Sequence, residues 1–161
     1  AAGAAGGPPL PPSARGIVRA ANPDGLRILV VDDLPLNRSL AARFLRADPN
    51  VANVQLASDG NQVLQALALA SPPVDLVFID IHMGVMGGFD TVEAVRGAEF
   101  ATPFVAMTGD PVAAATAERE SDKYGFEAVM SKPFSQRDMR EHVARVMAKR
   151  NTARLRAAGM R

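Results

Sequence analysis

Two short apolar runs, each stopped by an acid, constrain this chain more than any other feature of it. Arg27 to Asp32 reads RILVVD and Val74 to Asp80 reads VDLVFID. Both fall far short of the roughly 18 apolar residues that a membrane helix needs. Both are also too continuously apolar for a strand with one face in water, so they read as central parallel strands covered on both faces. Phe104-Val105-Ala106-Met107 is a third run of the same kind, and Val54 to Ala57 and Glu127 to Ser131 complete a set of five. Between them the period becomes helical. Leu36, Leu40 and Phe44 form one stripe, with Arg38, Arg43 and Arg46 off it, and Val63, Leu64, Leu67 and Ala68 form another. A third helix is expected near Phe89 to Arg96, and an Ala-rich helix opens at Asp110-Pro111 and runs towards Tyr124. In the last helix Met139, Val143 and Val146 share a face. Five strand–helix units with short connections imply a doubly wound α/β fold, because right-handed crossovers place helices on both faces of a parallel sheet.

The 161 residues are one domain's worth, and 18 basic against 17 acidic side chains leave a formal charge of +1. That balance argues against nucleic acid or a membrane surface as electrostatic partner. The absence of cysteine excludes disulfides, thiol catalysis and thiolate-bound zinc. The two histidines, His82 and His142, are too few and too far apart for a zinc site of ordinary spacing. Residues 1–25, rich in Ala, Gly and Pro, read as a flexible linker, residues 26–148 as the folded domain, and residues 149–161 as a basic tail at a fraying helix end. No GxGxxG motif or phosphate-binding P-loop follows the first strand, which removes the usual sequence support for dinucleotide or nucleoside-triphosphate binding.

Ligands of such a sheet bind at the carboxyl ends of its strands. There the chain supplies Asp32-Asp33, Asp80, Thr108 and Ser131-Lys132-Pro133. Each has an ordinary structural explanation as a cap or a solvated side chain. Together they do not, because gathered carboxylates repel unless a cation neutralises them. A hard cation such as Mg²⁺ takes a few carboxylate oxygens, water and a phosphate oxygen. The set therefore reads as an acidic metal site that receives a phosphoryl group on a carboxylate.

The segments Ile28 to Asp33, Asp75 to Met83, Val105 to Thr108 and Ser131 to Phe134 resemble, in order and interval, the response-regulator receiver domain of two-component signalling. The resemblance covers about residues 26 to 148, and Asn37-Arg38 further resembles receivers attached to hybrid histidine kinases. It implies a five-stranded parallel sheet of order 2-1-3-4-5, flavodoxin-like, in a cytoplasmic phosphoprotein. It implies Asp80 as phosphoacceptor, attacking the phosphorus of a phosphohistidine on a histidine kinase or a histidine phosphotransfer protein. Asp33, Asp80 and the backbone carbonyl of His82 would bind Mg²⁺ directly, and Asp32 through water. Thr108 would hydrogen-bond a phosphoryl oxygen and Lys132 would ion-pair with the group, with the Lys132-Pro133 peptide cis. His82 and Asp110 would lie near the attacking water and tune the lifetime of the acyl phosphate, while His142 is expected at the surface.

Departures from the family's pattern are Gly84 where proline is usual, Gly87 where an acid is frequent, and Val129 where many receivers carry an aromatic switch residue. The glycines suggest a looser loop, and Val129 suits a phosphorelay intermediate better than a switch driving an attached effector. Two rivals are a pseudo-receiver that binds protein without phosphorylation and an Asp-nucleophile phosphatase of the haloacid dehalogenase type. The phosphatase order is wrong, because the acid pair precedes Asp80 and His82 stands where its second catalytic acid belongs. A glycine-rich ATP-binding segment is missing, so the chain is expected to be a signalling domain rather than a kinase, and at most a piece of one. Docking is expected on the rim around Asp80 and on the first helix, with Leu36 and Leu40 as candidates where they are not core.

Overall fold

The computed structural model describes residues 22–159. The linker expected over 1–25 lies, apart from its last four residues, outside the described residues. Five strands, β1 (Leu26–Val31), β2 (Val51–Ala57), β3 (Leu76–Asp80), β4 (Phe104–Thr108) and β5 (Phe126–Ser131), form one parallel sheet in the order β2-β1-β3-β4-β5. Six helices connect and follow them: α1 (Pro35–Arg46), α2 (Asn61–Leu69), α3 (Gly88–Gly97), α4 (Pro111–Arg119), α5 (Ser121–Tyr124) and α6 (Gln136–Ala157). The doubly wound α/β sheet expected from the sequence is the one found.

β3 and β4 are buried at every position, as their unbroken apolar runs require. On one face Leu29, Val31, Val77, Ile79 and Ala106 pack against Val63 and Leu67 of α2, Val92 and Val95 of α3, and Ala113 and Ala117 of α4. On the other, Ile28, Val30, Phe78, Val105 and Met107 pack against Ala41 and Leu45 of α1 and Met139, Val143 and Val146 of α6. Each large apolar side chain removed from water in this way contributes about 1.5–3 kcal/mol.

Three local readings differ from the sequence expectation. Of the stripe Leu36, Leu40, Phe44 only Phe44 packs against the core; Ala41, Ala42 and Leu45 are the buried residues of α1, and Leu36 and Leu40 face solvent. The Ala-rich helix towards Tyr124 is interrupted at Glu120, which leaves the single turn α5 behind it. The last helix extends past residue 148. It runs on to Ala157, where Arg150 donates to the carbonyls of Asp24 and Gly25 and lies 3.5 Å from Asp75, and where Lys149 pairs with Glu127. Its start is fixed by a reciprocal capping box between Ser135 and Asp138. Among the described residues no helix is long and apolar enough to cross a membrane.

Candidate functional site

β1 pairs with both β2 and β3, so the chain leaves the sheet in opposite directions from these two central strands. The loops following β1 and β3 part there and leave a crevice at the carboxyl ends. Asp32 and Asp33 follow β1 directly, and Asp80 is the last residue of β3. The ladder then aligns the other rim residues. Ile81 N–H donates to the Met107 carbonyl, Thr108 stands opposite Ser131, and Lys132 N–H donates to the Thr108 carbonyl. Asp32, Asp33 and Asp80 thereby offer carboxylate oxygens within 4.8 Å of one another.

Asp32 is fully buried, Asp80 is 4% exposed, and Asp33 faces solvent. Lys132 reaches into the pair: its Nζ lies 2.7 Å from Asp32 Oδ2 and 2.8 Å from Asp80 Oδ2. The Lys132-Pro133 peptide is cis, as the resemblance implies. Asp32 Oδ1 accepts the Leu34 N–H at 2.9 Å, and the Asn37 amide donates to both Asp32 oxygens at 3.2 and 3.1 Å. Arg38 Nη1 donates to the Asp32 main-chain carbonyl at 2.6 Å. Asp80 Oδ1 accepts the His82 N–H at 3.0 Å. Thr108 is 2% exposed, and its Oγ1 accepts the Asp110 N–H at 3.0 Å. The two loops meet above: His82 Nε2 lies 3.3 Å from Asp110 Oδ2. Asp110 also caps α4 through the Val112 N–H, as its sequence predicts.

Burial raises the Asp80 carboxyl above the usual carboxylate range, and neighbouring Asp32 adds to this; the Lys132 ammonium and the His82 N–H pull the other way. For Lys132, burial alone would lower the ammonium, but its hydrogen bonds to Asp32 and Asp80 outweigh that and hold it above its ordinary value. Two of the three clustered carboxylates, Asp32 and Asp80, share this one ammonium. The clustered hard oxygen donors suit a small divalent cation with oxygen preference.

The loop after Asp80 takes its shape at Gly88 more than at the two glycines singled out from the sequence. A Cβ on Gly88 would stand 2.6 Å from the Asp80 carbonyl oxygen, whereas one on Gly84 would meet nothing within 4 Å. Val129 is half-buried and packs on the core, and a groove of about 300 Å³ bounded by Thr108, Gly109, Asp110, Ala114 and Lys132 opens beside the site.

His142 corrects the surface assignment. It is half-buried on α6, its ring meets Phe78 edge-on with centroids 6.2 Å apart, and its Nδ1 is buried without a hydrogen-bond partner. Sequence reasoning also missed the grip of Asn37 and Arg38 on Asp32. The available signal was their place in the first turns of the helix that follows the acid pair directly.

Comparison with known proteins fits this geometry. Residues 28–144 match the response regulator receiver domain family. The chain is 40% identical over 81 residues to a protein-glutamate methylesterase/protein-glutamine glutaminase of Nocardioides, covering 50% of this chain and 22% of that protein. It is 35% identical over 85 residues to the two-component response regulator ORR41 of Oryza sativa, covering 53% of this chain and 67% of the rice protein. Among solved structures, the Vibrio cholerae chemotaxis protein CheY4 superposes with a TM-score of 0.65 at 27% identity, over 76% of this chain and 98% of that one. The response regulator domain of Thermotoga maritima CheB, at 24% identity and a TM-score of 0.64, shares the fold over 77% of this chain and 97% of that one. With its sheet order, its acid-ended strands and the match over most of its length, this chain belongs to the response-regulator receiver domains of two-component signalling.

Proposed function

We propose that this domain accepts a phosphoryl group on Asp80 from a phosphohistidine of a histidine kinase or histidine phosphotransfer protein. The observation that carries the reading is Lys132 Nζ seated between buried Asp32 and Asp80, with a third carboxylate, Asp33, beside them and exposed to solvent. An Asp80 carboxylate oxygen attacks phosphorus, a P–O bond forms as the P–N bond breaks, and the released imidazole nitrogen regains a proton from solvent. Hydrolysis reverses the site: water attacks phosphorus, the acyl P–O bond breaks, and inorganic phosphate leaves the free carboxylate. Such transfer needs alignment and charge neutralisation more than covalent help. Lys132 supplies a cation that can turn from Asp32 to the phosphoryl oxygens, and the Thr108 hydroxyl supplies a donor. Asp33, Asp80 and the His82 carbonyl would hold Mg²⁺ directly and Asp32 through water; when bound, it neutralises charge on the phosphoryl oxygens.

The contact between His82 and Asp110 supports the reading that these two side chains limit water's approach to the acyl phosphate. His82→Ala and Asp110→Ala should therefore change the dephosphorylation rate several-fold, followed by loss of the phosphorylated mass; unchanged rates would remove them from that role. Leu34, Leu36 and Leu40, all exposed on or beside α1 next to the acid pair, offer an apolar surface for the histidine-bearing partner. Position within a phosphorelay, attachment to a hybrid kinase and a cytoplasmic setting extend the same reading. The test is phosphotransfer from a labelled histidine phosphotransfer protein: label should pass to this chain and not to Asp80→Asn. Leu36→Ala should slow transfer from the protein donor and leave the rate with acetyl phosphate intact. Label reaching Asp80→Asn as readily as the natural chain would overturn the assignment.

A further inference from the structure

Two adjacent side chains of α1 hold the acid pair and have no role in the reading above. α1 has no cap from its own N-cap residue, Leu34, and its first turns face Asp32 instead. Asn37 grips both carboxylate oxygens of Asp32, and Arg38 grips its main-chain carbonyl. The other strong partner of Asp32 is Lys132, which it shares with Asp80. A phosphoryl group on Asp80 would draw that ammonium away, and a fully buried carboxylate left without compensation is costly. Asn37 and the Leu34 N–H are then the donors that remain. Arg38, by fixing the Asp32 carbonyl, fixes the peptide that joins Asp32 to Asp33 and so the direction in which Asp33 leaves the crevice.

We infer that Asn37 and Arg38 are positioning residues for the acid pair. Asn37 keeps Asp32 seated when Lys132 turns to the phosphoryl group, and Arg38 sets the presentation of Asp33 to a divalent cation. The inference rests on the receiver-site reading. Neither residue touches a reacting atom; both act through the carboxylates.

The experiment is calorimetric titration of the full chain with Mg²⁺, for the natural sequence, Asn37→Ala, Asn37→Leu and Arg38→Leu. Removing an outer partner of a metal-binding carboxylate typically costs 10–100-fold in affinity, so each variant should bind Mg²⁺ about tenfold more weakly. Losing two hydrogen bonds to a fully buried carboxylate outweighs the small gain in helix propensity, so the Asn37 variants should also melt lower in EDTA; Val143→Ala, a core truncation on α6, is the stability control and should keep the natural Mg²⁺ affinity. The Mg²⁺ dependence of adduct formation with acetyl phosphate should move to higher concentration by the same factor. Wild-type Mg²⁺ affinity in both Asn37 variants, or a like weakening in Val143→Ala, would overturn the inference. A natural chain that binds no Mg²⁺ would instead overturn the site reading beneath it.

Discussion

At Asp80 burial and the proposed function pull in opposite directions. The carboxyl sits at the end of a buried strand beside a second buried acid, and its pKa is raised above the ordinary 3.8, chiefly by burial. The folded state therefore holds this proton more tightly than the unfolded chain, and folding stability falls as pH rises from 3.8 through the raised value. At neutral pH the whole penalty is present. Asp80→Asn, which cannot ionise, should unfold at a higher temperature than the natural chain at pH 7, and the gap should close as pH falls below 3.8, read by calorimetry in EDTA. An unchanged midpoint at pH 7 would show that Lys132 already compensates the charge in full. The identities of Asp32, Asp33, Asp80, Thr108 and Lys132 were legible because chemistry shows in residue type and strand end. Their pairing was not: that one ammonium bridges Asp32 and Asp80 depends on the distance between β1, β3 and the β5–α6 loop.

Helices were harder to read than strands, and α1 shows why. It carries two apolar stripes, and spacing alone cannot tell which one faces inward. Ala41, Ala42 and Leu45 are the buried ones, and Leu36 remains 79% exposed. With exposed Leu34 and Leu40 it forms the apolar patch proposed above as a docking surface. On α6 the error runs the other way. The apolar face Met139, Val143, Val146 is the buried one that its spacing predicts, but its neighbour His142 is drawn against Phe78. Burial lowers the His142 pKa below its ordinary 6.5, Arg145 lowers it further, and Glu141, Asp138 and Glu127 partly offset this. A base depressed in the folded state takes up its proton more readily when unfolded, so stability is lost as pH falls from 6.5 towards the lowered value. His142→Phe should flatten that acid-side loss, measured as thermal midpoint across pH 7 to 5. Equal slopes in the two proteins would place the loss elsewhere.

Over the whole molecule, the sheet was the legible part. The unbroken apolar runs of β1, β3 and β4 could only be central strands, and their ends define a single rim. The long reach of α6 was not legible, because a run of basic residues looks the same solvated or seated. In the fold Arg150 is tied to Asp24, Gly25 and Asp75, so the helix spans from the cap beside Lys132 to the point where the chain enters β1. The chain spans 22% of the methylesterase relative and 67% of the rice regulator, so what it shares with both is the receiver unit. Phosphoryl acceptance on Asp80 is put to the test by intact mass after incubation with acetyl phosphate. One phosphoryl adduct is expected, dependent on Mg²⁺ and lost in Asp80→Asn. An adduct that persists in Asp80→Asn, or none at all from a chain that binds Mg²⁺ and meets a competent histidine donor, would contradict it.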